Sequence, residues 1–199
     1  MTKSVALGID IGGTNTVSGF VDKDGHVHHY KEIPTHGSNP VLDLVGRIEN
    51  RVQSYLSDNT AIVLSGIGIG APNGNHYTGI IQDPPNLSWG NVDIVSLFKE
   101  RFDCDVILTN DANAAALGEK HYGAAKEMDD FIMITLGTGL GSGIFSGGRL
   151  LYGHDGFAGE MGHMPIASEG RECDCGNRGC LESYASARGI RKTVKELLN

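Results

Sequence analysis

The chain has 199 residues, 20% of them charged and 40% hydrophobic, which excludes a disordered or collagen-like polymer and suits a globule with a buried core. Its net charge of −8 has the wrong sign for a nucleic-acid surface. No apolar run approaches the ~20 residues of a membrane helix, so neither nucleic acid nor membrane is an expected partner.

In chain order, 4–10 (SVALGID) reads as a strand ending in an acid, 16–21 as a second strand and the run to Ile33 as a third, an antiparallel meander. The apolar stretch before Asp10 is too short for a secretory signal. Residues 34–40 are loop. Val41, Leu42, Leu44, Val45, Ile48, Val52, Tyr55 and Leu56 then recur at helical spacing. Residues 61–71 predict a buried strand with Gly66, Gly68 and Gly70 on alternate positions, a face bared for a close approach. Residues 72–90 predict a long functional or lid-like loop, with Trp89 as its anchor. A helix near 92–102 follows, then a strand at 105–109 and a helix from Asp111, its cap, to about residue 121.

Composition shifts at 123–130, which places domains at 1–122 and 123–199. In the second, 131–136 and 143–146 predict a hairpin with a third strand at 149–152, then a cysteine loop and a helix over 181–198. Met128, Met133, Met161 and Met164 read as core filler. Three strands, a loop and one helix leave a sheet that needs covering or a partner, so this region reads as incomplete. The 29 glycines are about twice the usual ~7% share, a sign of backbone packed closely against something.

Of four cysteines, Cys104 stands alone, while Cys173, Cys175 and Cys180 cluster after His163 as H-x9-C-x-C-x4-C. Three thiolates and an imidazole match a closed tetrahedral Zn²⁺ site in a reducing cytoplasm better than a redox pair or a secreted disulfide framework. Asp10-Ile-Gly-Gly-Thr-Asn15 ends an apolar strand in a carboxylate and a donor-rich turn. Taken alone this is a plain turn; as a site, Gly12, Gly13, Thr14 and Asn15 make an anion nest and Asp10 holds Mg²⁺ beside a phosphate. A second loop alternates Gly137, Thr138, Gly139, Gly141 and Gly143, and neither loop is a Walker or dinucleotide fingerprint. Asp111 at a helix start is a cap that also serves as a base for a sugar hydroxyl, with Asn110 as a hydroxyl partner. Glu160, His163 and Glu182 bracket the cysteine cluster, so a metal there fixes a set of hydroxyl-binding groups that singly would read as surface charges. Asn86 is a weaker hydroxyl contact.

These segments, DIGGTN at 10–15, GAPN at 70–73, NDANAAALGE at 110–119, LGTGLGSG at 136–143, GEMGHMP at 159–165 and CDCGNRGCLE at 173–182, together resemble the ROK family of sugar kinases and repressors. The resemblance implies an α/β, two-lobed, actin-like ATPase (ribonuclease H-like) fold, its second lobe truncated here, with ATP and sugar bound between the lobes. It makes Asp10, Gly12, Gly13 and Thr14 the first phosphate loop and 137–141 the second. It assigns the catalytic base to Asp111, sugar contacts to Asn110, Glu160, His163 and Glu182, and zinc to His163, Cys173, Cys175 and Cys180. Asn15 replaces a Lys common in the family, and the segment carrying the adenine pocket is absent. A strand beginning by residue 4 leaves no room for the repressors' helix-turn-helix, which favours the kinase. The expected activity is phosphorylation of a hexose by ATP, glucose first, in the cytoplasm and in a homo-dimer or larger assembly. An N-acetylhexosamine or fructose kinase, a sugar-responsive regulator and polyphosphate as donor stand as alternatives.

Overall fold

Strict alternation along β1 (Lys3–Ile11) turns Val5, Leu7, Ile9 and Ile11 to one side, where all four are buried. The structure, a computed structural model, describes residues 3–85 and 87–198; Asn86, one of the sugar-contact candidates, lies outside the described residues. The chain divides into two compact units, Met1–Asp111 and Ala112–Asn199.

In the first unit, β1 pairs antiparallel with β2 (Asn15–Asp22), and β2 with β3 (Val27–Pro34), giving the expected meander. Helix α1 (Val41–Asp58) follows and buries Leu44, Val45, Ile48 and Val52, one stripe of its surface. Strand β4 (Ile62–Gly70) then pairs parallel with β1 on its free side. The stretch expected to be all loop contains β5 (Ile80–Ile81), paired with β6 (Val92–Asp93). Two-residue strands carry no periodicity, so no sequence pattern marks them. The predicted helix near 92–102 shrinks to α2 (Ile94–Lys99), because β6 takes Val92 and Asp93. The Asp93 carboxylate caps α2 by accepting the Ser96 N–H at 3.0 Å. Trp89 anchors the loop as expected, its indole N–H donating to the Asn39 carbonyl at 2.9 Å.

Strand β7 (Asp105–Thr109) completes a five-stranded mixed sheet in the order β3-β2-β1-β4-β7. One face is covered by α1 and α2, whose Ile48, Ile94 and Phe98 join Leu7, Phe20, Ile69 and Leu108 in a single core. The other face is bare: Ala6 and Gly68 are exposed there and Ile107 is 55% exposed.

Helix α3 (Asp111–Tyr122) opens at the boundary of the second unit, so the division falls at the start of this helix rather than after it. Strands β8 (Phe131–Leu136), β9 (Leu140–Ser146) and β10 (Arg149–Leu150) form an antiparallel sheet ordered β10-β9-β8. β9 starts earlier than residue 143 because Leu136 pairs directly with Leu140 across a short turn. The predicted helix over 181–198 is two helices, α4 (Glu182–Ala185) and α5 (Ala187–Leu197). Ser186 breaks it: its backbone is extended and its hydroxyl accepts the Gly189 N–H at 3.1 Å, capping α5. Met128 and Met164 are half exposed outside any helix or strand, so neither fills a core. Ile132, Ile134 and Leu136 stand exposed along β8, as do Ile190, Val194 and Leu197 on α5. Among the described residues no helix is long and apolar enough to cross a membrane.

Ile48 is fully buried where α1 meets the sheet. Ile48→Ala is expected to destabilise the first unit by about 2–5 kcal/mol, read from the midpoint of a urea titration.

Candidate functional site

The first glycine turn links β1 to β2. Gly12 N–H donates to the Asn15 carbonyl at 2.9 Å, and a Cβ on Gly12 would lie 2.8 Å from that same oxygen, so the turn closes only around glycine. The rest of its support comes from Thr35, just past β3. The Thr35 N–H donates to the Thr14 carbonyl (2.8 Å) and its hydroxyl to the Gly12 carbonyl (2.7 Å). With that proton committed, the buried Thr16 hydroxyl is the donor in its 2.9 Å contact with Thr35 Oγ1. Arg47, held by Asp43, donates to the carbonyls of Pro34 (2.7 Å) and Thr35 (3.0 Å) and fixes the strut. Thr35 and Arg47 were not among the expected site residues; a lone threonine in a loop carries no pattern. The side-chain amide of Asn15 donates to the Glu32 carboxylate on β3.

Asp10 lies on β1 beside Gly70 of β4, and Gly70 lies beside Thr109 of β7, so one row of the sheet runs Asp10, Gly70, Thr109. Asn110 and Asp111 follow immediately. Asp111 occupies the first helical position of α3, one place later than a cap, and Asn110 stands before it. Burial, and then the charge of Asp111, push the Asp10 carboxyl above its ordinary range. A raised carboxyl pKa means the folded chain holds the proton more tightly than the unfolded one. Stability is therefore greatest below the ordinary carboxylate pKa and falls as pH rises through the raised one.

In the second unit, Gly137, Thr138 and Gly139 form the turn between β8 and β9, closed by Gly137 N–H to the Gly139 carbonyl at 3.0 Å. Gly141 belongs to β9 rather than to the turn. A Cβ there would sit 2.9 Å from the Ala112 Cβ, and one on Gly143 would sit 2.6 Å from the Ala116 Cβ. These two glycines thus let α3 pack against β9, a reason for glycine independent of any ligand. Glu182 of α4 accepts the Leu140 N–H through Oε2 at 2.9 Å, and its Oε1 lies 3.7 Å from Cys173 Sγ.

His163, Cys173, Cys175 and Cys180 converge, with all four donor atoms within 4.8 Å of one another. Zn–S bonds of about 2.3 Å in a tetrahedron put sulfurs about 3.8 Å apart. Cys175 and Cys180 Sγ are 3.7 Å apart, and Cys173 Sγ is 3.7 Å from His163 Nδ1, so the donor set fits a closed four-ligand zinc site. His163 presents Nδ1 to the cluster while Nε2 faces Glu160 Oε2 at 3.9 Å. The loop is held by Gly179 N–H to the Arg171 carbonyl (2.7 Å) and Cys173 N–H to the Asn177 carbonyl (2.9 Å). Arg171 was also unforeseen: it stacks on Tyr184 and donates to the carbonyls of Ser183 and Gly189.

The sequence pattern of the ROK family matches residues 6–199. The chain belongs to the ROK family. A glucokinase of Thermotoga maritima is 37% identical over 198 residues, covering 98% of this chain and 62% of that protein. A xylose repressor of Bacillus spizizenii is 36% identical over 197 residues, covering 96% of this chain and 50% of the repressor. Among solved structures, a ROK family glucokinase from Streptomyces griseus in complex with glucose and AMPPNP superposes with a TM-score of 0.78 at 34% identity, over 96% of this chain and 60% of that one. The fold is the α/β fold of these actin-like ROK kinases, and the chain spans less than two thirds of the length of the curated relatives it matches.

Because the site disfavours the Asp10 carboxylate, Asp10→Asn is expected to raise stability at neutral pH. The gain should shrink as pH falls through the raised value toward the ordinary carboxylate range, below which the native side chain is protonated in both states. Denaturant titrations of both proteins between pH 8 and pH 4 read the sign.

Proposed function

We propose that the protein transfers a phosphoryl group from ATP to a hexose hydroxyl, with glucose as the first substrate. The observation that carries this reading is the Asp10–Asp111 pair: Asp10 ends β1 at a braced glycine turn, on a sheet row that leads through Gly70 and Thr109 to Asp111, whose charge acts on the Asp10 carboxyl. Pairs of like charge kept together at the ends of strands are characteristic of sites rather than scaffolds. Asp111 would accept the proton of the attacking hydroxyl, which in a loose transition state mainly orients the nucleophile. Asp10 would lie against the polyphosphate, with the backbone N–H groups of Gly13 and Thr14 donating to its oxygens while Gly12 closes the turn on Asn15. Mg²⁺, whose preference is for hard oxygen donors such as the Asp10 carboxylate, would supply neutralisation of the phosphate charge. The turn at 137–139 would meet the phosphates from the second unit.

Asn110, Asp111, Glu160, His163 and Glu182 would hold the sugar hydroxyls. Zn²⁺ held by His163, Cys173, Cys175 and Cys180 would be structural, fixing the tautomer of His163 so that Nε2 faces the sugar side with Glu160. The glucokinases at 35–37% identity and the glucose-bound structure support glucose over other hexoses. One observation favours a second reading: the xylose repressor at 36% identity supports a sugar-responsive regulator built on the same frame. Such a protein needs the hydroxyl-binding groups and the metal loop, but it has no use for a base.

A coupled assay of ADP release with ATP, Mg²⁺ and a panel of hexoses separates the two, with zinc content measured on the same sample. Turnover with glucose is the expected result. Asp111→Ala should then lose about 10²–10⁴-fold in kcat while sugar binding by calorimetry persists. Unchanged turnover in this variant would overturn the base assignment, and sugar binding without turnover in the native protein would favour the regulator.

A further inference from the structure

The second glycine turn is not held by its own strands alone. Three bonds reach it from the short stretch 182–188. Leu140 N–H donates to Glu182 Oε2 at 2.9 Å, Ala187 N–H donates to the Gly137 carbonyl at 3.0 Å, and Arg188 Nε donates to the Thr138 carbonyl at 3.3 Å. The same stretch reaches the metal loop. Glu182 Oε1 lies 3.7 Å from Cys173 Sγ, and Arg188 pairs with Asp174 at 3.1 Å. Glu182 is seated close: a Cβ on Gly139 would fall 2.3 Å from its Oε2, so the carboxylate occupies the space that glycine leaves. Glu182 follows Leu181, whose N–H donates to the Met164 carbonyl (3.0 Å), and Pro165 bridges to Cys180. The start of α4 is therefore an extension of the metal loop.

We infer that Glu182 is a positioning residue for the turn at 137–139, a strut through which the metal loop sets the conformation of that turn. One carboxylate oxygen holds the Leu140 N–H while the other lies 3.7 Å from a cysteine of the loop, so a shift of the loop around Cys173 disturbs one of the three bonds that hold the turn. The consequence for catalysis rests on the proposed function: if the turn meets phosphate and Glu182 also meets sugar, one side chain links the two binding events. The mechanical coupling itself does not rest on that reading.

Hydrogen–deuterium exchange with mass spectrometric readout tests the strut without measuring turnover, so its failure and the failure of the kinase reading are distinguishable. In Glu182→Ala, amides of 137–140 should exchange about tenfold faster or more, the loss of a hydrogen bond to a charged acceptor. Segments 131–135 and 143–146 should keep their native rates, and zinc content should be unchanged. In Glu182→Gln the side-chain carbonyl still accepts from Leu140, and the rate should return most of the way to native. Removing the metal with a chelator should accelerate 137–140 together with 173–181. Native exchange at 137–140 in Glu182→Ala overturns the proposal, as does acceleration spread evenly over the second unit or a glutamine variant no better than alanine. Chelation that changes 173–181 alone, or changes neither segment, overturns the link to the metal.

Discussion

A turn that is to offer its backbone N–H groups to an anion, as proposed for both glycine turns, has few left with which to hold itself together. Each makes one closing bond of its own, Gly12 to Asn15 in the first and Gly137 to Gly139 in the second. Everything else that fixes them comes from outside, through their carbonyls and flanking residues. In the first unit the support is Thr35, backed by Thr16 and by Arg47 from α1. In the second it is Glu182, Ala187 and Arg188. The two solutions use different chemistry, a buried hydroxyl pair in one case and a charged side chain with a helix start in the other. Both order the turn chiefly through its carbonyls and its flanking residues.

Where burial and spacing are local, the chain announces itself. Val5, Leu7, Ile9 and Ile11 alternate because one face of β1 is core, and that alternation is visible without coordinates. The α1 stripe and the His163–Cys180 spacing are equally local, one a helical period and the other a loop short enough to bring four donors together. The glycines of β4, Gly66, Gly68 and Gly70, read as a bared face, but the structure leaves only Gly68 of the three exposed, with Gly66 half-buried and Gly70 buried.

What is hidden depends on partners distant in sequence. Thr35 supports a turn more than twenty residues away, and nothing in a stretch between two prolines marks it. β5 and β6 exist only because a long loop closes on itself, and residues that short have no period to detect. Gly141 and Gly143 continue the alternation of the turn, so a reading by pattern joins them to it. Their actual reason is the approach of Ala112 and Ala116, which only the packing of α3 reveals. The break at Ser186 was legible in principle, since a serine three residues before Gly189 is a capping position, but the helical period on either side overrides it. Ile132, Ile134 and Leu136 show the converse: an apolar alternation that promises burial and here meets no neighbouring layer.

The Asp10–Asp111 pair bears on why one frame serves both kinases and regulators. The cysteine loop, Glu160, His163 and Glu182 lie wholly in the second unit, so the part of the proposed sugar site that they form needs no contribution from Asp10. The carboxyl of Asp10 is different in kind. Its environment opposes its charge, first by burial and then by a like-charged neighbour, so at neutral pH it subtracts from the stability of the first unit. Nothing in the core needs it: the residues that pack β1 are Val5, Leu7, Ile9 and Ile11, on the opposite face. A second unit that senses sugar gives no reason for such a pair in the first, whereas the proposed phosphoryl transfer would use both carboxylates, one beside the phosphates and one beside the proton.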